Sequence, residues 1–426
     1  MTAPVLERFL RYVRVNTQAD ARAETFPSSP GQRVLLAHLR DELLALGLTD
    51  ATMDAHGYVM ATIPSTSSRT DIPTIGFIAH VDTSPEMSGE DVRPLVHRAW
   101  DGRDIALPDA PDAVLRRHEH PALEEQLGHD IVTASGTTLL GADNKAGVAE
   151  IVTAAAYLMA HPEIEHGPIR VAFTPDEEIG RGTQHFDVAA FGALCAYTMD
   201  GGRRGEVEVE SFSADAMTLT FYGFNTHPGY AAGRMVNALK VAAAFIDSLP
   251  SRGLSPETTR DREGFVHPYT LTASVEQATV QFILRDFTTE HLATQAAQLR
   301  QLADAAVARF PGARVEARVT EQYRNMREVL DQHPAIAAHA VEAVRRAGLP
   351  VRQHAIRGGT DGSRLSFMGL PTPNIFAGEH NFHSRLEWVS VQDMEKAVEV
   401  IVHLARIWAE PSAATGCYPS RTVSHV

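Results

Sequence analysis

Residues 176–178 are three adjacent carboxylates, Asp176-Glu177-Glu178, set behind Pro175 at the end of the run I-R-V-A-F-T. Ile169, Val171 and Phe173 alternate with Arg170 and Ala172, which is the period of a strand. The carboxylates are therefore delivered to a strand's C-terminal edge, where open α/β sheets build their sites. Carboxylates so close repel one another unless a cation or a proton is shared among them. His80 and Asp82 close another apolar run two residues apart, so they face one side of an extended chain. A carboxylate there can hold one imidazole nitrogen while the other binds a metal. Asp143 stands between Gly141 and Gly147 just before a helical run, and Asp200 precedes Gly201-Gly202 after a further apolar run. Taken singly, these are an acidic turn, a strand-end histidine and a helix N-cap. Four such residues in one alternating β/α pattern, His80, Asp143, Glu178 and Asp200, point to a metal site of nitrogen and oxygen ligands. A phosphate loop is the weaker reading, because the G-x-x-x-x-G-K-[ST] spacing is absent.

The elements that must position these residues follow from periodicity and punctuation. Helices are predicted over 5–15 and 32–46, and strands over 59–63 and 72–81, the latter buried on both faces. Residues 83–135 read as loops and short hairpins, followed by a helix at 148–159 and a strand at 194–199. Near Gly205 the pattern changes. Strands at 207–210 and 216–222, a helix at 236–248, strands at 269–275 and 279–287, a helix at 289–309 and a strand at 315–319 give the order of a ferredoxin-like α+β unit. The larger α/β domain then resumes with a helix at 334–347, a strand at 351–356, the glycine-rich loop 357–363, a strand at 373–376 and a closing helix at 392–408. The predicted organisation is thus a catalytic-type domain of residues 1–206 and 321–426, with 207–320 inserted and a loose tail from about 410.

Composition limits the partners. The 426 residues are 44% hydrophobic and 21% charged, ordinary for a globular chain that buries a large core. A net charge of −15 argues against nucleic acid, whose phosphates need a basic surface. Cys195 and Cys417 are too few for a disulfide framework or a thiolate site. No apolar run approaches a membrane span and no signal peptide is visible, so a cytoplasmic protein is expected.

Longer motifs add a family. H-V-D-T at 80–83, G-A-D-N-K-A-G at 141–147, T-P-D-E-E-I-G at 174–180, D-G-G at 200–202 and N-F-H at 381–383 resemble the di-zinc M20 peptidases. G-F-N-T-H-P-G-Y at 223–230, Y-R-N-M at 323–326 and I-R-G-G-T-D-G-S at 356–363 are similar to its tripeptide aminopeptidases. Asn144 and Glu379-His380 depart from the usual pattern beside the ligands. The resemblance implies a mixed-sheet zinc-exopeptidase-like fold with an inserted lid, and release of the N-terminal residue of a tripeptide.

By the same resemblance His80 and Asp200 would bind one Zn²⁺ and Glu178 and His383 a second, with Mn²⁺ or Co²⁺ as substitutes. Asp143 would bridge them, Asp82 would orient His80, and Glu177 would be the general base toward a shared water. The Asp143–Asn144 peptide would be cis. His227, with Asn225 in the same N-T-H-P-G segment, would serve the substrate, and in related enzymes the equivalent histidine comes from the partner subunit of a homodimer. Arg285 and Arg357 would grip the peptide's carboxylate, or else pair with Asp286 and Asp361. Tyr323 and Asn325 read as interdomain contacts. The competing functions are another M20 hydrolase (dipeptidase, carboxypeptidase or N-acyl amino-acid deacylase) and a peptide-binding homologue without catalysis.

Overall fold

The apolar run around Phe77 becomes the strand Ile75–His80, the central member of a seven-stranded mixed sheet. The structure is a computed structural model and describes residues 2–411. The tail expected from about 410 and Cys417 lie at or outside the limit of the described residues. Across the sheet the order is Thr52–Met53, Val59–Ile63, Ile169–Thr174, Ile75–His80, Cys195–Gly201, Asn374–Phe376 and Val207–Glu208. The middle four strands are parallel and the outer pairings antiparallel. Four chain segments therefore leave the sheet at one edge.

Burial follows the two-residue period. Ile75, Phe77 and Ala79 enter the large core with Ile169, Val171, Phe173, Tyr197 and Met199, while Ile78, Ala172 and Ala196 meet Phe191 and Leu365 on the opposite face. Helix Ala142–Ala160 is buried along most of its length against the strands and against helix Val391–Ala409. It begins earlier than the periodicity predicts, but Asp143 and Asn144 are themselves non-helical and joined by a cis peptide, as the resemblance implied. A Cβ at Gly147 would lie 1.9 Å from the Met199 carbonyl oxygen, so only glycine lets this helix sit so close to the strand carrying Asp200.

The inserted unit is an antiparallel sheet in the order Phe265–Ala273, Gln277–Asp286, Ser213–Tyr222, Arg314–Tyr323. Helices Ala238–Asp247 and Thr289–Ala308 cover one face and enclose a separate core around Leu219, Phe221, Phe245, Phe282 and Leu284. Its limits differ from those expected. Val207–Glu208 pairs with Asn374–Phe376 in the main sheet, and the last strand continues to Tyr323. Alternation at 207–210 does not reveal which sheet a strand will join. Likewise the strand expected at 351–356 shrinks to Ala355–Ile356, paired with Glu210–Ser211. Asn325 ties the two crossing segments. Its side chain accepts from the Ser211 N–H at 3.1 Å and donates to the Phe287 carbonyl at 3.1 Å, and its own N–H reaches Ser213 Oγ at 3.0 Å.

Candidate metal centre

His80 ends its strand at the sheet edge with its imidazole buried between carboxylates. Nδ1 lies 3.1 Å from the Asp82 carbonyl oxygen and 3.3 Å from its Oδ1, while Nε2 lies 3.0 Å from Asp143 and 3.3 Å from Asp200. Asp82 does a second job. Its two oxygens accept the backbone N–H groups of Glu177 and Glu178 at 3.0 Å each, which fixes the turn after strand Ile169–Thr174. Asp176, by contrast, has φ +58° and turns away from the cluster to Ser28 and Gln32. The third wall follows strand Asn374–Phe376, where His383 Nε2 lies 2.8 Å from Glu178 and 3.3 Å from Asp143. Asp143 is thus shared by two imidazoles.

Charge explains the protonation preferences. Burial alone would deprotonate His80, but Asp200, Asp143 and Asp82 hold it well above the usual histidine range. His383 is raised to about 11 by Asp143 and Glu178 against the same burial effect. Burial pushes Glu178 up to about 8, with Asp143 adding to it. Glu177 is also pushed well above the carboxylate range by burial, opposed by His80 and reinforced by Asp361, Asp200 and Glu178. The cluster attracts positive charge. Its chemistry fits divalent cations: ligand atoms of His80, Asp143 and Glu178, and separately of Asp143, Asp200 and Glu379, lie within 4.8 Å of one another. Glu178 Oε1 and both Glu379 carboxylate oxygens are buried without a hydrogen-bond partner among the described residues.

The cluster forms one wall of a cleft of about 770 Å³ whose other wall is the uncovered face of the inserted sheet. Leu284 points into that unit's core, so Ile283 and Arg285 on alternate positions face the cleft. Arg285 donates to Gln322 Oε1 at 3.0 Å and lies 5.2 Å above the Tyr323 ring.

Residues 136–407 match Peptidase family M20/M25/M40. The chain belongs to this peptidase family. Among relatives, Peptidase T of Bacillus velezensis is 48% identical over 96% of this chain and 100% of its own length, and Peptidase T of Geobacillus thermodenitrificans is 46% identical over 97% and 100%. In fold, the M20 chain is similar to the aminopeptidase PepT from Bacillus cereus (TM-score 0.73, 22% identity, covering 96% of this chain and 99% of that one). It is also similar to the Bacillus subtilis YXEP protein, a dinuclear metal binding peptidase from the M20 family (TM-score 0.63, 16% identity, 95% and 97% covered).

Within this M20 chain the expected site residues divide. His80, Asp82, Asp143, Glu177, Glu178, Asp200 and His383 come together, and Arg285 shares their cleft. Arg357 does not. Its guanidinium donates to the carbonyls of Asp261 and Glu263 at 2.7 and 2.8 Å and lies over the rings of Phe212 and Phe265. Neither arginine pairs with the carboxylates suggested for it: Asp286 takes His291 and Gln295, and Asp361 takes Thr174. Asn225 and His227 are exposed on the inserted unit, away from the cleft lining. Tyr323 is more than a contact between units, since it lines the cleft and touches Gly359 so closely that a Cβ there would fall 2.5 Å from its ring.

Three residues escaped the sequence argument, and a fourth, Asp361, entered it only as an alternative partner for an arginine. Glu387 is buried and accepts the N–H groups of Leu140, Gly141 and Asp143 at 2.7, 2.8 and 3.0 Å, supplying acceptors to the start of helix Ala142–Ala160. Glu86 lies 3.2 Å from His383 Nδ1, the partner that a ligating histidine usually has. Asp361 is buried beside Thr174, and Arg364 lines the cleft 5.9 Å from the Tyr323 ring. Only Asp361, inside the glycine-rich motif, left a trace in the sequence.

Proposed function

We propose that this M20 peptidase is an aminopeptidase that releases the N-terminal residue of tripeptides at a centre of two Zn²⁺ ions. Its peptidase T relatives, matched over nearly their whole length, support the substrate class. The observation that carries the reading is the cleft itself, with the imidazole–carboxylate cluster on one wall and Arg285 on the other. His80 and Asp200 would hold one cation, Glu178 and His383 the other, and Asp143 both. When bound, the two ions lower the pKa of water and polarise the scissile carbonyl.

The chain's own groups supply the rest. Glu177 carries no hydrogen bond from its side chain among the described residues and lines the cleft beside Glu178. It would take the proton of the attacking water and return it to the leaving nitrogen. Asp82 keeps His80 oriented and, through two backbone N–H groups, sets the position of Glu177. The acidic wall would hold the substrate's free ammonium, and Arg285 its far carboxylate, with Arg364 lining the same cleft. Arg357 is committed to backbone carbonyls and is not assigned to substrate. His227 would reach a cleft only from a second copy of the chain, which makes a homodimer part of the proposal. A cytoplasmic peptidase acting on short peptides is the expected setting.

A substrate panel tests it. A free tripeptide should be cleaved well, its N-acetyl form not at all, its C-terminal amide and the matching dipeptide much more slowly. Equal turnover of the N-acetyl peptide would favour the deacylase or carboxypeptidase branch instead.

A further inference from the structure

Glu379 is a carboxylate that the mechanism above does not use. It is 1% exposed, lines the catalytic cleft, and neither of its oxygens has a hydrogen-bond partner among the described residues. The charges that weigh most on it are those of Asp143, Asp200 and Glu387, with His80 opposing them. Among the described residues no lysine or arginine forms an ion pair with it. A buried carboxylate in such company is strongly disfavoured unless it meets a cation or keeps its proton.

Its position is not accidental slack. The Ala377 and Gly378 N–H groups donate to the carbonyls of Gly201 and Gly202 at 2.7 and 2.9 Å, so the segment carrying Glu379 is stitched to the one carrying Asp200. Glu379 itself pairs with Val389, and the next residue, His380, stacks on Trp388 on the other side of the strand. This register points Glu379 at the metal cluster. We propose that Glu379 is a further ligand of the cation shared by Asp143, Asp200 and His80. The inference rests on the two-metal reading above. It makes that half of the centre rich in hard carboxylate oxygens, which suit Mn²⁺ better than an imidazole-rich set does.

The test is metal binding by the full chain, stripped with chelator and titrated with Mn²⁺ or Zn²⁺ against a competing indicator, with Mn²⁺ also followed by its EPR spectrum. Glu379→Gln keeps the shape and the hydrogen-bonding capacity but removes the anionic oxygens. It should weaken one of two Mn²⁺ sites at least about tenfold, the lower end of what losing even an outer partner costs. Zn²⁺ should suffer less, and the Mn²⁺ EPR spectrum should change. Unchanged affinities and an unchanged spectrum would overturn the inference, since a protonated Glu379 that only donates a hydrogen bond is replaced adequately by glutamine. Should that variant not fold, Glu379→Asp serves: the shorter carboxylate should shift the ratio of Mn²⁺ to Zn²⁺ affinity, and an unchanged ratio overturns the proposal. A wild-type chain that binds neither ion stoichiometrically would instead defeat the two-metal reading, and this inference with it.

Discussion

The two walls of the cleft are built on different principles. On the sheet-edge wall, backbone and side chain brace one another. Asp82 holds the amides of Glu177 and Glu178, Glu387 holds those that lead into Asp143, and Gly147 brings that helix against the Asp200 strand. On the inserted wall, Arg285 projects from a sheet face whose order comes from a core on its far side, and its described hydrogen bonds go to Gln322 and the Leu284 carbonyl. A cation centre needs donors fixed before the ion arrives, whereas recognition of a substrate's end needs reach. The separate core and the crossing at Asn325 would let the second wall close without disturbing the first.

The sharpest break of this contrast comes at the first wall. Glu177→Gln should lower kcat by about 10²–10⁴-fold, the span of general acid–base catalysis, with metal content unchanged. Glu178→Ala should lose metal as well. Metal analysis of both purified variants decides whether neighbouring carboxylates have separate roles, and equal loss in both would merge them. Next, Arg285→Ala should cost about 2–5 kcal/mol in kcat/KM for a free tripeptide, but much less for its C-terminal amide. Equal losses would make Arg285 structural. Glu387→Ala leaves three buried N–H groups without their acceptor, each worth about 1–3 kcal/mol when orphaned. A lowered Tm and weaker metal binding are expected, while the same change at Gln322 should leave both unaltered. The smallest effect belongs to the crossing: Asn325→Ala should destabilise by about 1–2 kcal/mol and alter KM without removing metal, as calorimetry and kinetics would show.

The same contrast explains what the sequence disclosed. His80-x-Asp82 and the carboxylates after Phe173 were legible because a strand's two-residue period fixes which side chains share a side. The βαββαβ order was legible from the succession of strand and helix periods, whereas the mixed sheet was implied only by the family resemblance. Glu387 was not, because R-L-E-W resembles any solvated stretch and its value lies in amides 244 to 247 residues away in sequence. Arg357 misled. It was expected to grip the substrate's carboxylate, yet its guanidinium meets carbonyls that periodicity could not bring near. Boundaries failed where pairing decided them, as at Val207–Glu208, which alternates like the inserted strands but joins the main sheet.

The central claim is that the sheet-edge wall is a two-metal centre acting on free tripeptides. The direct measurement is hydrolysis of a free tripeptide by the full chain after prolonged chelation and stepwise return of metal, with bound ion counted at each step. The account predicts negligible activity in chelator and recovery that saturates at about two ions per chain. Full activity in excess chelator, or recovery unrelated to bound metal, would contradict it.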